Sequence, residues 1–338
     1  MLDIAVIGSG AIAEEAYLPA IGELPSARLA WIVDVDGERA RSLATRFDAR
    51  GHATDDRIVL ESCDAAVIAT PPRFHAEIAE RCLDADIHVF TEKPIATTSE
   101  RGRELIALAD EHGVHFAISR QLRESPACRA VRQFAQSGTI GELERVTMHF
   151  GDETEWSFAS DYRVRKSLSW GGVLTDKAPH ALDILRWILG PNAMVTRYRD
   201  DNLGGLEANA EVDLAFRNPD VTARLEVTAD REITNELVVV GTDGRLIADP
   251  QSASARLIDR EGDEYSLQLR DSDQYARYRP RVAKQLERFV TSIQTDSPTY
   301  VPAAEGLELV EWIESCYDSR EPLIHSWEQL HLERAVAR

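Results

Sequence analysis

The chain has 338 residues, 43% of them hydrophobic, and its 38 basic and 58 acidic residues give a net charge of −20. This length favours two domains, and the negative charge argues against nucleic acid or anionic lipid as partners because both would be repelled. We expect a cytoplasmic protein with reduced thiols, no membrane span and no metal site, since MLDIAVIG lacks signal-peptide features, apolar runs are short, and the four cysteines lie far apart.

The first 122 residues alternate between strand and helix patterns. The apolar runs LDIAVIG, RLAWIVDVD, DAAVIATPP, IHVFTEK and HFAIS predict strands, and AIAEEAYLPAIGEL, GERARSLATRF, AEIAERCLDA and SERGRELIALADEHG predict helices. This alternation is typical of βαβ units in a parallel sheet covered by helices. We therefore predict an α/β Rossmann dinucleotide-binding domain over residues 1–122.

From residue 123 the pattern changes. A helical ACRAVRQFAQSG precedes the predicted strands ELERVTMHF, EVDLAF, TARLEVTA, NELVVVGTDGRLIAD and SARLIDREGDEYSLQL, and turn signals such as TDGR lie between them. Helical patterns occur in GGVLTDKAPHALDILRWILG, RVAKQLERFVTSI and AAEGLELVEWIESCYDS. We predict an α+β domain with a mainly antiparallel open sheet over residues 123–338.

The segment IAVIGSGAIA contains a G-x-G-x-x-A turn formed by Gly8, Gly10 and Ala13. The turn follows a predicted strand and opens a predicted helix, which is the context of a dinucleotide-binding motif. We interpret residues Gly8, Gly10, Ala11, Ile12 and Ala13 as the backbone that receives a pyrophosphate. The alternative is a glycine turn that serves packing alone.

Asp34 ends the next predicted strand, 21 residues after Ala13. A carboxylate there accepts hydrogen bonds from the adenosine ribose and repels a 2′-phosphate, which favours NAD over NADP. Arg39 and Arg41 nearby keep NADP open. Asp34 can also be read as a helix N-cap, a role that Asp36 could take instead.

Two further strand ends carry candidate cofactor residues. Thr70, Pro71 and Pro72 follow one predicted strand in ATPPRFH, and Glu92 and Lys93 follow the next in FTEKP. Open parallel sheets bind ligands at this edge. His75 belongs either to the cofactor site or to the entry of the following helix.

The chain contains only four lysines, whereas arginines are many. A high-salt cytoplasm or genome base composition would each produce this usage. The placement of Lys93 between Glu92 and Pro94 therefore singles it out, because proline also restricts the lysine backbone to extended conformations.

An ordered series of motifs resembles the Gfo/Idh/MocA family, that of glucose-fructose oxidoreductase and inositol dehydrogenase. The motifs are GSGAIA at 8–13, ATPPRFH at 69–75, TEKP at 91–94, SGTIGELERV at 137–146, GGVLTDKAPHALD at 171–183 and CYDSRE at 316–321. The resemblance implies reversible oxidation of a sugar or polyol hydroxyl, and an open sheet that often supports homodimers or homotetramers.

The resemblance also implies catalytic roles for Lys93, Asp176 and His180. Histidine suits a general base, and lysine suits a donor to a developing alkoxide. Asp176 would orient the imidazole or bind a substrate hydroxyl. Residues four apart share a helix face, but Pro179 disfavours helical geometry before it, so Asp176 could lie on the entering turn. Without the resemblance, a buried helix histidine and a helix cap are the alternatives.

Arg123, Trp156 and Tyr162 fall where members of the family line the substrate pocket, although each could serve packing or surface. They join Lys93, Asp176 and His180 as predicted substrate-binding residues. Lys177 adds a second cation beside the predicted site, which suggests an acidic substrate.

Three functions fit these features. The leading hypothesis is an NAD(P)-dependent dehydrogenase of a sugar, polyol, cyclitol or sugar derivative, with NAD favoured. The second is a redox-neutral lyase, glycosidase or epimerase that retains NAD. The third is a non-catalytic NAD-binding regulator, which an intact lysine, aspartate and histidine set argues against. The sequence identifies neither the sugar nor the oxidised carbon.

Overall fold

The computed structural model describes residues 1–58, 60–153, 165–202, 206–217, 219–268 and 273–323. A six-stranded sheet is followed along the chain by a nine-stranded sheet. The first is wholly parallel and the second is mostly antiparallel, so the predicted fold class is confirmed.

The first sheet has the strand order β3-β2-β1-β4-β5-β6. Its strands are β1 Leu2–Ile7, β2 Ala27–Val33, β3 Gly51–Ala53, β4 Ala65–Ile68, β5 His88–Thr91 and β6 Phe116–Ile118. The helices that accompany it are α1 Leu18–Glu23, α2 Gly37–Arg46, α3 His75–Asp84 and α4 Ser99–His112. Every residue of β4 is buried, as expected for a parallel strand covered on both faces. The strand order reverses beside β1, which leaves a crevice at the carboxyl ends of the strands.

The second sheet has the order β14-β13-β12-β11-β7-β10-β9-β8-β15. Its strands are β7 Leu143–Gly151, β8 Ala193–Asp200, β9 Asn209–Arg217, β10 Asp220–Thr228, β11 Glu236–Gly241, β12 Gly244–Ala248, β13 Ser254–Asp259, β14 Glu264–Gln268 and β15 Arg320–Pro322. Among the strands that the structure describes in this sheet, only the pairs β7–β10 and β8–β15 are parallel. Burial alternates along β9 and β10, so one face of the sheet meets the core. The sequence patterns did not reveal β8 or β15.

Helices cover the inner face of this sheet. The other helices of the described residues are α5 Pro126–Gln136, α6 Lys166–Ser169, α7 Val173–Asp176, α8 Ala178–Leu189, α9 Tyr278–Thr295 and α10 Ala303–Asp318. Short 3₁₀ turns lie at Asp56–Ile58, Pro72–Phe74, Gln121–Glu124 and Asp273–Ala276. The apolar faces of α5, α8 and α10 share one core with the strands. Helix α10 also packs on α4, where Glu314 accepts a hydrogen bond from the backbone N–H of Ser99 at 2.9 Å.

Helix α9 follows the second sheet in the chain but packs against the first. Val282, Leu286, Phe289 and Val290 are buried in the first-domain core, and the rings of Phe289 and Phe90 lie 5.5 Å apart. Each such side chain contributes about 1.5–3 kcal/mol when fully buried. A division of the chain at residue 122 therefore separates this helix from the core to which it contributes.

Within the described ranges, no helix is both long and apolar enough to cross a membrane. The four cysteines are free thiols, and three of them are buried.

Candidate active site

A cavity of about 1210 Å³ lies where the carboxyl ends of the parallel strands face α7 and the start of α8. It brings together most of the predicted site residues. Those that line it are Gly8, Gly10, Ala11, Ile12, Asp34, Thr70, Pro71, Pro72, His75, Glu92, Lys93, Asp176 and His180.

The glycine-rich turn forms one end of the cavity. Gly8 has a φ of +95°, and a Cβ on it would lie 2.6 Å from the carbonyl oxygen of Ala69, so a side chain would displace the end of β4. A Cβ on Gly10 would meet nothing within 4 Å, so the backbone there is open to the cavity. Ala13 is fully buried and begins a π-helical turn. It therefore packs the turn onto the sheet without lining the cavity.

Asp34 is held by the glycine-rich turn. One carboxylate oxygen accepts hydrogen bonds from the backbone N–H and the hydroxyl of Ser9, both at 2.7 Å. The other accepts the backbone N–H of Asp36 at 2.9 Å. Asp36 itself caps α2 by accepting two backbone N–H groups. The helix-cap role thus belongs to Asp36, and Asp34 faces the cavity.

A cation lies beside this carboxylate. Arg39 donates from Nε to the carbonyl oxygen of Ser9 at 2.6 Å and from Nη2 to Glu14 at 2.8 Å. Its side chain is 36% exposed and lines the cavity. The same end of the cavity therefore offers a carboxylate that suits a ribose diol and a guanidinium that suits a phosphate.

His75 joins two strand ends. Its Nδ1 and Nε2 lie 2.7 Å from the carbonyl oxygens of Pro94 and Thr70, respectively, and the residue is only 1% exposed. Burial lowers the pKa of the imidazole. This placement supports the helix-entry reading of His75. The hydroxyl of Thr70, in contrast, is buried in the cavity wall with no hydrogen-bond partner in the described part of the chain.

Glu92 and Lys93 are fixed through Tyr17. The buried Tyr17 hydroxyl donates to one oxygen of Glu92, and the other oxygen accepts the backbone N–H of Lys93 at 3.2 Å. Burial and the nearby carboxylate raise the pKa of Tyr17, so the phenol remains a donor. The Lys93 ammonium donates to the Asp176 carboxylate at 3.1 Å and also to the carbonyl oxygen of Asp176.

Asp176 and His180 approach the cavity from adjoining helices. Asp176 ends α7, Lys177 links the helices with φ −94° and ψ −41°, and Pro179 lies in the first turn of α8. Proline is tolerated there because the first turn leaves N–H groups unpaired in any case. Because Lys177 keeps right-handed helical dihedral angles, Asp176 and His180, four residues apart, both face the cavity.

His180 is suited to accept a proton. Its Nδ1 is buried and has no hydrogen-bond partner within the described residues. Burial, together with the charges of Lys93 and Arg120, lowers the pKa of the imidazole well below its usual value. The ring is therefore neutral at neutral pH and available as a base.

The prediction for Arg123 is corrected by the structure. Arg123 is 2% exposed, does not line the cavity, and binds Asp183 through two hydrogen bonds of 2.8 and 2.6 Å. A third bond, of 2.7 Å, joins it to Glu305. A buried guanidinium requires such carboxylate partners, so Arg123 links α8 to α10. Trp156 and Tyr162 lie outside the described residues.

Lys177 also does not line the cavity. Its ammonium donates to the backbone carbonyl of Asp152 at 2.8 Å and to the carboxylate of the same residue. The suggestion of an acidic substrate, which relied on this cation, therefore loses its support.

Several polar residues of the cavity were missed in the sequence, and Gln121, Ser169 and Glu207 are among them. Gln121 and Ser169 are 7% and 6% exposed, and their Oε1 and Oγ atoms have no hydrogen-bond partner in the part of the chain that the structure describes. Gln121 follows β6 as other cavity residues follow their strands, and this signal could have identified it. Nothing in the sequence distinguishes Ser169 from other serines.

These residues fit a nicotinamide dinucleotide. The turn at Gly8 and Gly10 opens backbone to the cavity, Asp34 faces the same space, and the Thr70 hydroxyl lacks a partner. In the described ranges, no group of three or more His, Cys, Asp or Glu side chains is placed to hold a metal ion.

Comparison with known proteins agrees with this geometry. D-xylose 1-dehydrogenase [NADP(+)] from Haloarcula marismortui is 23% identical over 94% of this chain and 90% of its own length. Inositol 2-dehydrogenase from Rhizobium meliloti is 25% identical over 89% of this chain and 92% of its own length. The structure of levoglucosan dehydrogenase in complex with NADH and levoglucosan superposes with a TM-score of 0.84 at 18% identity. The superposition covers 94% of this chain and 96% of the dehydrogenase chain.

Two family models match in chain order. Residues 2–119 match the oxidoreductase family with an NAD-binding Rossmann fold, and residues 128–247 match the GFO/IDH/MocA C-terminal domain. Together they cover most of the chain, which confirms the predicted family and the predicted class of NAD(P)-dependent dehydrogenases. The chain belongs to the Gfo/Idh/MocA family of oxidoreductases.

Proposed function

We propose that this protein oxidises a CH–OH group of a sugar, polyol or cyclitol, with Lys93, Asp176 and His180 as its catalytic residues. The observation that carries the proposal is the convergence of these three side chains on the cavity that also contains the dinucleotide turn. The relatives named as xylose and inositol dehydrogenases support the substrate class.

A nicotinamide dinucleotide held by the Gly8–Gly10 turn and Asp34 would supply the hydride acceptor. The neutral imidazole of His180 takes the proton of the substrate hydroxyl, and the Lys93 ammonium donates to the oxygen as negative charge develops on it. Asp176 orients the ammonium through the 3.1 Å hydrogen bond. The substrate carbon thereby loses a hydride and its oxygen a proton, and a carbonyl forms.

A screen for reduction of NAD and NADP tests this function. The full chain is incubated with a panel of neutral sugars, polyols, cyclitols and sugar acids, and NAD(P)H absorbance is followed. We expect turnover with at least one neutral member. Absence of cofactor reduction across the panel, with both cofactors shown to bind, would overturn the proposed dehydrogenase.

We infer that NAD is preferred over NADP. The Asp34 carboxylate faces the cavity and its charge opposes a phosphate dianion. Arg39 beside it is already engaged by Ser9 and Glu14, which reduces its capacity to bind a phosphate.

We also propose a homodimer or homotetramer that assembles through the face of the second sheet opposite α5, α8 and α10. Alternating burial along β9 and β10 leaves that face without helices from the described chain. Light scattering at micromolar concentration, in low and high salt, should give a mass of two or four chains; a monomer in both would contradict this assembly.

The free thiols support a reducing compartment, the cytoplasm.

A further inference from the structure

Glu207 is a buried carboxyl in the cavity wall that the proposed chemistry does not use. It is 2% exposed and lies two residues before β9. Its Oε1 accepts hydrogen bonds from the backbone N–H groups of Gly172 at 3.0 Å and Leu174 at 3.1 Å, and from the Tyr317 hydroxyl at 2.9 Å. Its backbone oxygen accepts the N–H of Val173 at 2.8 Å. One residue thus holds three consecutive N–H groups at the start of α7.

The paired glycines before α7 are explained by this contact. A Cβ on Gly172 would lie 2.1 Å from the backbone oxygen of Glu207, and a Cβ on Gly171 would lie 2.0 Å from the Tyr317 hydroxyl. At Gly172 the clash is with backbone atoms, so only glycine lets the turn lie against Glu207. At Gly171 the neighbour is the end of the Tyr317 side chain, which its hydrogen bond to Glu207 holds in place. The two glycines of the motif GGVLTDKAPHALD therefore allow the start of α7 to pack closely against Glu207 and Tyr317.

The CYDSRE motif supplies the rest of this support. Tyr317 lies in the last turn of α10 and Arg320 begins β15. The Arg320 guanidinium lies 4.7 Å from the Tyr317 ring centroid, 2.5 Å from Asp200 and 3.8 Å from the second oxygen of Glu207. Burial and Glu207 raise the pKa of the Tyr317 phenol, which keeps it a donor. The motif thus stabilises the buried carboxyl and lies apart from the dinucleotide turn.

Helix α7 transmits the position of Glu207 to the reacting groups. It spans only Val173–Asp176, a length that does not hold its own position without tertiary contacts. Its start is fixed by Glu207, and its last residue, Asp176, binds the Lys93 ammonium. His180 follows within the next helical turn.

We propose that Glu207 is a positioning residue, which, with Tyr317 and Arg320, holds α7 so that Asp176 meets Lys93 and His180 faces the substrate. This inference rests on the proposed function and adds a residue to it. Misplacement of reacting groups by about 1 Å costs on the order of 10² in rate, so the contribution of Glu207 is to kcat more than to cofactor binding.

Three variants of the full chain test the role. Glu207→Ala removes all acceptors of the side chain, whereas Glu207→Gln retains an oxygen at the position that receives three hydrogen bonds. Tyr198→Phe is the matched control, because it removes a buried hydroxyl of the same cluster that binds Asp200 at 2.9 Å and Arg320 but does not bind the 171–174 segment. Kinetics use the panel substrate that wild type oxidises fastest, beside NADH affinity and melting temperature.

We expect Glu207→Ala to lower kcat on the order of 10²-fold, with KM for NAD within about threefold of wild type. Glu207→Gln should recover most of kcat, and Tyr198→Phe should lower only the melting temperature. A value of kcat for Glu207→Ala within threefold of wild type overturns the proposal, as does a Gln variant as slow as the Ala variant.

A second measurement needs no substrate. In NADH-bound protein labelled at histidine Cε1, Glu207→Ala should move the His180 signal, while Glu207→Gln and Tyr198→Phe should leave it as in wild type. If wild type oxidises no panel member, the proposed dehydrogenase fails and this signal alone decides the positioning role. An unmoved His180 signal in Glu207→Ala would then overturn it.

Discussion

The two walls of the cavity are positioned in different ways. On the wall from the first domain, several key residues follow a parallel strand within two positions: Gly8 after β1, Asp34 after β2, Thr70 after β4, and Glu92 and Lys93 after β5. The opposite wall carries Asp176 and His180 on α7 and α8, and distant segments hold these helices in place. Glu207 contacts the start of α7 from 33 to 35 residues further along the chain.

This difference separates local from long-range folding information. A strand end places its next residues at the sheet edge whatever the rest of the chain does. A four-residue helix has no such guarantee, and its position depends on partners that fold elsewhere. Substitutions on the first wall should therefore act locally, whereas the second wall should also respond to substitutions in the distant segments that hold α7 and α8.

Replacing Lys93 should give the largest loss, because its ammonium bridges the two walls. Lys93→Ala should lower kcat/KM by a factor on the order of 10² to 10⁴, which is what one donor or proton-transfer group contributes. Lys93→Arg should be nearly as poor, because the planar guanidinium is longer and does not replace a compact ammonium. Steady-state kinetics on an identified substrate measure both.

Calorimetric NAD affinity and melting temperature serve as controls for these variants. Both should change little, since the Gly8–Gly10 turn is untouched. If kcat/KM stays within about threefold of wild type, or falls only as far as stability and NAD affinity fall, then Lys93 is structural.

Breaking the buried Arg123–Asp183 link should instead reduce stability. Arg123→Leu removes both hydrogen bonds to the buried Asp183 carboxylate and leaves it only the ion pair with Arg120 at 3.2 Å, so the loss of unfolding free energy should approach the roughly 3–5 kcal/mol that breaking a buried pair typically costs. Urea unfolding followed by tryptophan fluorescence measures the loss. The matched control is Arg103→Leu, whose pair with Glu311 between α4 and α10 is exposed and should contribute little. Equal midpoints for the two variants would contradict the role assigned to Arg123.

The same distinction explains what the sequence could predict. The dinucleotide turn, Asp34 and Lys93 were identified because their positions follow from strand ends and a motif. The structural role of Arg123 depends on its pairing with Asp183, 60 residues further along the chain, and no local sequence pattern reveals that pairing. Lys177 was misjudged for the same reason, because Asp152 lies 25 residues before it.

Helix α9 and the cluster around Glu207 show the same limit at the level of the fold. The helical period of α9 was evident, but the apolar face does not state which sheet it covers. The CYDSRE motif was visible as letters, whereas its role depends on β15 pairing with β8, which the sequence did not reveal.

Removing the Asp34 carboxylate should have a moderate effect that stays on the first wall. Asp34→Ala should narrow the preference for NAD over NADP by about tenfold, or about 1.4 kcal/mol, because a charge that opposes the 2′-phosphate is lost. Calorimetric titration of both cofactors measures the ratio. Glu38→Ala removes an exposed carboxylate of α2 that does not line the cavity, and should leave the ratio unchanged. NADP binding as tightly as NAD in wild type would contradict the ribose role.

The smallest expected effect links the two walls through charge. Burial, Lys93 and Arg120 hold the pKa of His180 below its usual 6.5, so Lys93→Ala should raise it. Histidine Cε1 signals followed through a pH titration measure the change. His112, bonded to Asp86 away from the cavity, is the internal reference and should titrate alike in both proteins. A lower or unchanged His180 pKa in Lys93→Ala would show that the ammonium does not act on the imidazole.

The lowered pKa of His180 also fixes the sign of a pH effect on stability. As pH falls below about 6.5, the unfolded chain binds the proton while the native imidazole stays neutral, so unfolding becomes more favourable. The stability associated with a neutral His180 is thus fully present above pH 6.5 and is lost as pH falls toward the pKa of His180 in the native state. The pKa of buried His75 is also lowered, so His75 affects stability in the same direction. Lys93→Ala should raise the pKa of His180 in the native state, which narrows the pH range over which this stability is lost. Urea unfolding at a series of acidic pH values should therefore show a shallower loss in Lys93→Ala than in wild type, and a steeper loss would contradict the electrostatic coupling of the two walls.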